Sequence, residues 1–215
     1  MAVCGLRAAG MTGDAEQWDP HRTTLASYQA NVEKYLASLA PTPAQPSADH
    51  LAEFAALLPA GGQVLEVGSG PGRDADDLES RGLLVRRTDA TPAFVDRLRR
   101  LGHPAELLDV LTDELGGPYA GIWASAVLLH LDRDQLAAVL RRCHAAVEPG
   151  GLLGFSVKEG EGERWTTEKL DAPRYYVYWQ LEPLLELVRR CGWQPVRASR
   201  ASGTWANWLY LTCRA

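Results

Sequence analysis

The sequence predicts an α/β fold in which a doubly wound, mostly parallel sheet of seven strands carries helices on both faces. Three observations predict it. Between residues 64 and 157, short apolar segments alternate with helical patterns, as parallel strands and their crossover helices do. The first of these segments ends in a run of glycines at residues 68–72. The last two strand-like segments, residues 194–201 and 205–213, are separated only by the turn Ser202-Gly203, which predicts an antiparallel hairpin at one sheet edge.

The composition indicates one globular domain and argues against several classes of function. The chain has 215 residues, enough for one substantial core. Acidic residues outnumber basic ones by 27 to 22, which opposes a protein that grips nucleic-acid backbones. No apolar run reaches the roughly 18 residues of a membrane span, and the N-terminus lacks the apolar block of a signal peptide. The four cysteines are scattered without metal-ligand spacing. We therefore expect a cytoplasmic protein, a monomer or a homodimer, without nucleic acid, membrane or metal as a partner.

The first quarter of the chain is expected to form helices. Residues 1–20 are expected to be a disordered segment, ahead of a single domain at residues 21–215 whose residues 21–60 form a helical extension or lid. Apolar residues recur at intervals of three and four, which predicts one helix at residues 23–39; they are Leu25, Tyr28, Val32, Tyr35, Leu36 and Leu39. Pro41, Pro43 and Pro46 then predict a stiff connector. Ser47 or Asp49 is expected to cap a second helix that ends near residue 58.

The alternating core is expected at residues 61–158. Its predicted strands are residues 64–67, 83–85, 104–108, 119–124 and 152–157. Helices are expected after the first strand, with an apolar face that begins at Leu78, and at residues 92–101 and 132–147, where Asp132 is the cap. Residues 159–215 are expected to supply the substrate side, a helix at residues 181–191 and the hairpin.

The glycine-rich turn is the most informative motif. In an open α/β sheet, ligands bind outside the carboxyl ends of the strands, and Gly68, Gly70 and Gly72 stand at the end of the first one. Glycines there let the backbone approach a ligand closely, and the amide groups of the helix that follows can hold an anionic group. A dinucleotide fingerprint needs Gly-x-Gly-x-x-Gly, but residue 73 is Arg and the third glycine comes one residue early.

The segment VLEVGSGPG, in which an acid precedes Gly-x-Gly-x-Gly, resembles the motif of class I S-adenosylmethionine-dependent methyltransferases. The resemblance extends over residues 64–157 and is closest to the branch that includes ubiquinone and menaquinone biosynthesis methyltransferases. It implies a Rossmann-like fold, S-adenosyl-L-methionine as the cofactor with S-adenosyl-L-homocysteine as the product, and methyl transfer to a small-molecule substrate.

A set of cofactor-binding residues follows from the motif and the strand ends. Asp89, 17 residues after Gly72, ends the second strand, where a carboxylate suits the two ribose hydroxyls; the alternative is a helix cap. The resemblance implies that Asp109 accepts from the adenine amino group, that the next backbone amide contacts the ring, and that residues 124–131 border the cofactor. Arg73 either pairs with the methionine carboxylate or faces solvent. The full set is Glu66, Gly68, Ser69, Gly70, Gly72, Arg73, Asp89, Ala90, Asp109, Val110 and Ser125.

The acceptor side gives weaker signals. His130, just past the fourth strand, is the one candidate general base; the alternative is a buried, hydrogen-bonded histidine among the leucines around it. The candidate substrate residues are Tyr28, Trp165, Tyr176 and Trp179, each with core packing or a surface position as the alternative. Charges and glycines alternate over residues 158–165, which predicts a mobile flap or, equally, a solvated loop.

Four other functions remain open at this point. A nicotinamide-dependent reductase is opposed by the glycine spacing and by the absence of any Tyr-x-x-x-Lys. A non-catalytic S-adenosylmethionine sensor and an aminopropyltransferase would share the cofactor pocket. A nucleic-acid methyltransferase is opposed by the acidic balance and by Ala-Ser-Ala-Val at the end of the fourth strand, where amino-methylating DNA enzymes carry Asn/Asp-Pro-Pro-Tyr/Phe.

Overall fold

The computed structural model describes residues 19–203 and 206–215. The expected disordered segment therefore lies outside the described residues up to residue 18, as does the start of the last predicted strand at Trp205. Along the rest of the chain, no helix has both the length and the apolar character needed to cross a membrane. The same residues contain no group of three His, Cys, Asp or Glu side chains placed to hold a metal ion.

The N-terminal helices differ from the prediction at two points. The single predicted helix is two, α1 (Pro20–Ala30) and α2 (Val32–Ala37), because Asn31 leaves the helical region with φ −133° and ψ 28°. Asp19 caps α1 through bonds from the amides of His21 and Arg22, which suits a helix whose first residue is proline. The next helix, α3 (Gln45–Ala56), begins ahead of both predicted caps. Pro46 is accommodated in its first turn, where an amide needs no helical partner.

The alternating core agrees with the predicted order of elements. It contains β1 (Gln63–Val67), α4 (Arg73–Ser80), β2 (Leu84–Asp89), α5 (Pro92–Arg100), β3 (Ala105–Leu107), β4 (Tyr119–Ala124), a short 3₁₀ turn (Leu128–His130), α6 (Arg133–Ala146) and β5 (Val147–Glu159). Asp132 caps α6 in a capping box with Gln135, as its position predicted.

The C-terminal part contains one feature that the sequence did not reveal. Its elements are β6 (Glu163–Thr166), β7 (Arg174–Val177), α7 (Leu181–Arg190), β8 (Gln194–Ser202) and β9 (Asn207–Arg214). β6 and β7 pair with each other in a separate two-stranded antiparallel sheet. The segment expected to be a flap or a loop is therefore the end of β5, a turn and most of β6.

The main sheet confirms the predicted fold class. Its seven strands have the order β3-β2-β1-β4-β5-β9-β8, with β1 to β5 parallel and β9 antiparallel to both of its neighbours. The hairpin β8–β9 forms one edge of the sheet, as predicted. The strand order reverses between β1 and β4, so the carboxyl ends of these two strands border the crevice where ligands bind in such sheets.

Both faces of the sheet are covered. On one face, Leu65 and Ile122 belong to a large apolar cluster with α6 and α7. Their neighbours in the chain, Val64 and Trp123, point to the opposite face and pack with Phe54 of α3. This alternation follows from the two-residue period of a strand and fixes the carboxyl ends of the strands on a rigid support.

Candidate functional site

The turn after β1 is built so that backbone, not side chains, forms its surface. Gly68, Gly70 and Gly72 have φ values of 72°, 49° and 88°, the left-handed region that disfavours other residues. A Cβ on Gly68 would lie 2.4 Å from Val127 Cγ2, and one on Gly72 would lie 2.7 Å from Leu98 Cδ2. The first and third glycines are therefore required by the close approach of neighbouring elements.

A cavity of about 260 Å³ lies between this turn and the N-terminal helices. Twelve of the residues selected from the sequence line it. From β1 and the turn come Glu66, Gly68, Ser69, Gly70 and Arg73. From the ends of the neighbouring strands come Asp89, Ala90, Asp109, Val110 and Ser125. Tyr28 of α1 and His130 complete the set.

Four selected residues lie outside this lining. Gly72 caps the start of α4. Trp165 is partly exposed on β6, with its ring centroid 5.3 Å from that of Tyr175. Tyr176 is buried behind His130, with ring centroids 4.7 Å apart. Trp179 is buried beneath the guanidinium of Arg133, which lies 4.3 Å from its ring centroid. Tyr176 and Trp179 therefore have the core-packing position that was the alternative to substrate contact.

Asp89 joins the second strand to the glycine turn. Its Oδ2 accepts a 2.9 Å hydrogen bond from the amide of Gly70, and its Oδ1 accepts a 2.7 Å bond from the amide of Thr91. Burial raises the pKa of this carboxyl, although the two amide bonds act against the rise. Each carboxylate oxygen has a second lone pair, so the side chain retains the capacity to accept from two vicinal hydroxyls.

Glu66 is a buried acid in the floor of the cavity. It is 2% exposed, and the hydroxyl of Ser69 donates to its Oε2. Burial raises its pKa to about 8, with the nearby carboxyls of Asp74 and Asp89 acting in the same direction. Glu66 is thus largely protonated at neutral pH in the protein without ligand.

The first helix closes the cavity above Asp109. His21 Nε2 lies 2.7 Å from Asp109 Oδ2, and the amide of Leu111 donates to Oδ1. Burial alone would raise the pKa of Asp109, but the bonds from His21 and Leu111 bring it below its ordinary value. Arg73 also contacts the N-terminal part of the chain, since its guanidinium donates to the carbonyl of Ala40 at 2.8 Å.

His130 is held on both ring nitrogens. Nδ1 lies 2.6 Å from the carbonyl oxygen of Tyr175, which only accepts, so Nδ1 carries the proton and donates. Nε2 therefore accepts from the hydroxyl of Tyr28 at 3.1 Å, and that hydroxyl in turn accepts from Arg174 Nη1 at 3.1 Å. Burial, together with the charges of Arg174 and Lys158, lowers the pKa of His130 to about 3. The imidazole is neutral at physiological pH.

The cavity also has walls that sequence reasoning did not select. His21 and Thr24 come from α1, and Asp74 accepts a 2.8 Å bond from the indole of Trp123. Tyr35 and Phe94 pack edge to face, with ring centroids 5.7 Å apart. Tyr35 follows Tyr28 by seven residues, so the helical period could have indicated that both face the cavity. His21 lies at the very start of α1, and no sequence pattern indicated its position.

These residues fit an adenosyl sulfonium cofactor. The glycines of the turn offer bare backbone, the end of β2 offers a carboxylate, and the same cavity is lined by Tyr28 and His130. A ribose on Asp89 and an adenine near Asp109 and Val110 match the chemistry of these donors and acceptors.

Comparison with known proteins indicates a methyltransferase. Residues 29–198 match a family model described as a methyltransferase domain. Over 105 residues the chain is 31% identical to the ubiquinone biosynthesis O-methyltransferase of Azotobacter vinelandii; this match spans 45% of the chain and 44% of that protein's length.

Two solved structures share the fold over nearly the whole chain. The 1,6-didemethyltoxoflavin-N1-methyltransferase of Burkholderia thailandensis, solved with 1,6-didemethyltoxoflavin and S-adenosylhomocysteine bound, has a TM-score of 0.67 at 24% identity, covering 94% of this chain and 92% of that one. The CcbJ methyltransferase of Streptomyces caelestis has a TM-score of 0.70 at 18% identity, covering 92% and 99%. Because the family model spans most of the sequence, the chain belongs to the S-adenosylmethionine-dependent methyltransferase family.

Proposed function

We propose that this protein transfers the methyl group of S-adenosylmethionine to a small-molecule acceptor that binds where the cavity meets Tyr28 and His130. The observation that carries the proposal is that one continuous cavity is lined both by the glycine turn with Asp89 and by these two side chains.

The cofactor side follows from the residues around the glycine turn. We assign Glu66, Gly68, Ser69, Gly70, Gly72 and Arg73 to the methionine end of the cofactor and Asp89 and Ala90 to its ribose. Asp109 and Val110 are assigned to the adenine, and Ser125 to the neighbourhood of the transferred group. When bound, the cofactor supplies a methyl carbon on a positively charged sulfur, which an acceptor atom attacks in line.

The chain's own side chains position the acceptor against the methyl group and keep water out of the cavity. Leu25 and Tyr28 of α1 lie over the cavity and help to exclude water from it. His130 fixes the Tyr28 hydroxyl, and we assign it a positioning role because both of its nitrogens are already engaged. Trp165, Tyr176 and Trp179 act through packing or at the rim, since none of them lines the cavity.

Calorimetric titration with S-adenosylmethionine, S-adenosylhomocysteine and NAD tests the cofactor. We expect the first two to bind and the third not to bind. Asp89→Asn should weaken binding of both by about tenfold or more, because it removes charged hydrogen bonds to the ribose. Asp96→Asn, on an exposed position of α5, is the matched control and should bind as the wild type does.

Turnover then separates an enzyme from a sensor. We expect methyl transfer from the labelled cofactor to at least one member of a panel of small phenols, amines and thiols, detected by mass spectrometry. Tight cofactor binding without transfer to any of them would favour a sensor, and binding of NAD alone would return the assignment to a reductase.

A further inference from the structure

Two buried cations beside the cavity have no carboxylate partner among residues 19–203 and 206–215. Arg174 is 3% exposed and Lys158 is 9% exposed. Neither forms an ion pair within the described part of the chain, where the ion pairs involve other basic residues. Arg174 donates to the Tyr28 hydroxyl and to the carbonyl of Glu168, while its Nε has no hydrogen-bond partner among the described residues.

Aromatic faces, not acids, surround these charges. Lys158 Nζ lies 3.8 Å from the ring centroid of Tyr176, and the guanidinium of Arg174 lies 5.3 Å from the same ring. Cation–π contacts compensate only part of the cost of removing a charge from water. Burial and the charge of Arg174 lower the pKa of Lys158 to about 8. The other charged groups that act on this lysine are Glu168, Arg164 and Lys169, all exposed.

Arg174 and Lys158 are linked by contacts to side chains that line the cavity. Arg174 is bonded to Tyr28, which lines the cavity. Lys158 lies over the ring of Tyr176, and this ring packs against His130, which also lines the cavity. Both cations lower the pKa of His130, so their potential is felt at that imidazole.

The cavity is consequently polarised. The carboxyls of Asp74, Asp89 and Asp109 line one part of the cavity, together with Glu66, which holds a proton in the ligand-free protein. Arg174 and Lys158 stand behind the other part, which Tyr28 and His130 line. A positively charged sulfonium suits the first part, whereas the second part is unfavourable for any cation and favourable for an anion.

The acceptor end also lacks a free base. His130 donates through Nδ1 and accepts through Nε2, and the proton of Tyr28 is directed to that Nε2. Neither Tyr28 nor His130 is therefore free to take the proton of an acceptor that arrives protonated.

We propose that the acceptor is a small weak acid, such as an acidic phenol, that binds as its anion in the positive potential of Arg174 and Lys158. The proton leaves to solvent before the acceptor binds. A lone pair of the anion then forms the bond to the methyl carbon, the bond from carbon to sulfur breaks, and its electron pair returns to sulfur. The acceptor anion and the sulfonium cation are both neutralised in this step, which needs no proton transfer.

This inference rests on the proposed function, and its main test needs no knowledge of the acceptor. S-Adenosylmethionine carries one more positive charge than S-adenosylhomocysteine, so the potential at the acceptor end weakens binding of the first relative to the second. In Lys158→Met we expect the ratio of the two Kd values to shift in favour of S-adenosylmethionine by about threefold or more. Lys158→Arg keeps the charge and should keep the ratio of the wild type. Arg100→Met removes an exposed charge on α5 and is the control.

A second readout uses 4-nitrophenol, whose anion absorbs visible light, with the protein saturated by S-adenosylhomocysteine. We expect the bound phenol to ionise at lower pH than the free phenol, and Lys158→Met to reverse that shift. 4-Nitroanisole, which has no ionisable proton, should bind more weakly. A Kd ratio that Lys158→Met leaves unchanged, or no preference for the phenol over the anisole, would overturn this inference while leaving the cofactor assignment intact. Failure of both cofactor forms to bind would instead overturn the proposed function.

Discussion

Glu66 shows how a single buried acid links the site to pH. Its pKa of about 8, raised by burial, lies well above the roughly 4.3 of a carboxyl in the unfolded chain. Between these values the folded protein holds a proton that the unfolded chain has released. The contribution of this group to stability is therefore complete below about pH 4 and is lost as the pH rises through about 8.

We expect Glu66→Gln to remove this dependence, because glutamine does not ionise. From about pH 5 to pH 8 the ligand-free wild type should lose up to about 1.4 kcal/mol of unfolding free energy per pH unit relative to the variant. Urea unfolding at a series of pH values measures the difference. Glu148→Gln, at an exposed position, is the control. Parallel curves for the wild type and Glu66→Gln would contradict the assignment of a buried proton.

At the residue scale, the sequence predicted side chains that end strands better than side chains on helices. Asp89 was selected because it ends the second strand, and Asp109 because the family resemblance implied it; both line the cavity. The bond between His21 and Asp109 joins positions 88 apart in the chain. No local pattern contains such a contact. The same holds for the cluster around His130, which depends on β7.

Helix α1 lines the cavity and is hydrogen-bonded to the chain around β7. The amide of Tyr175 donates to Thr24 Oγ1 at 3.0 Å, and Ser27 Oγ donates to the carbonyl of Pro173 at 2.6 Å. These bonds dock α1 on the strand that carries Arg174. They lie outside the cofactor-binding turn, so they can be removed without touching it.

We expect Ser27→Ala to loosen α1 and to speed cofactor release. Loss of one such hydrogen bond costs about 1 kcal/mol, which corresponds to roughly fivefold in the dissociation rate if α1 must open first. Stopped-flow release of S-adenosylhomocysteine measures this effect. Ser38→Ala is the matched control, since among the described residues that hydroxyl bonds only to the nearby carbonyl of Tyr35. Equal release rates in both variants would show that α1 does not retain the cofactor.

The break between α1 and α2 and the strand pair β6–β7 escaped prediction. The apolar period of α1 continues into α2 because both helices cover the same cavity, so the break at Asn31 leaves the pattern unchanged. β6 lacks an apolar side, with three of its four residues exposed. A strand without a buried face shows no alternation to detect. The buried strands β1 and β4, by contrast, were predicted almost to the residue.

At the scale of the whole molecule, Gly154 marks a point where both faces of the sheet are closely packed. It lies in β5, and a Cβ added there would lie 2.6 Å from the Trp123 ring and 2.8 Å from the Phe54 ring. The neighbouring residues Leu153 and Phe155 are fully buried in the cluster on the other face.

We expect Gly154→Ala to lower the free energy of unfolding by about 1–3 kcal/mol, because the extra methyl overpacks a closed interface. Combining it with Trp123→Phe, which removes the ring atoms in the way, should cost less than the sum of the two single changes. Thermal or denaturant unfolding of the four proteins gives the coupling. Strict additivity would mean that the clash is relieved elsewhere.

The position of β9 in the sheet has a consequence for biosynthesis. β9 follows every other strand along the chain, yet it is seated between β5 and β8, pairing with both. While the polypeptide emerges from the ribosome, one edge of the long strand β5 stays unpaired until β9 has been synthesised. Until then β8 has no strand to pair with. The nascent chain therefore exposes an open apolar β-edge for longer than the order of its other elements suggests, a state that invites self-association and protection by chaperones.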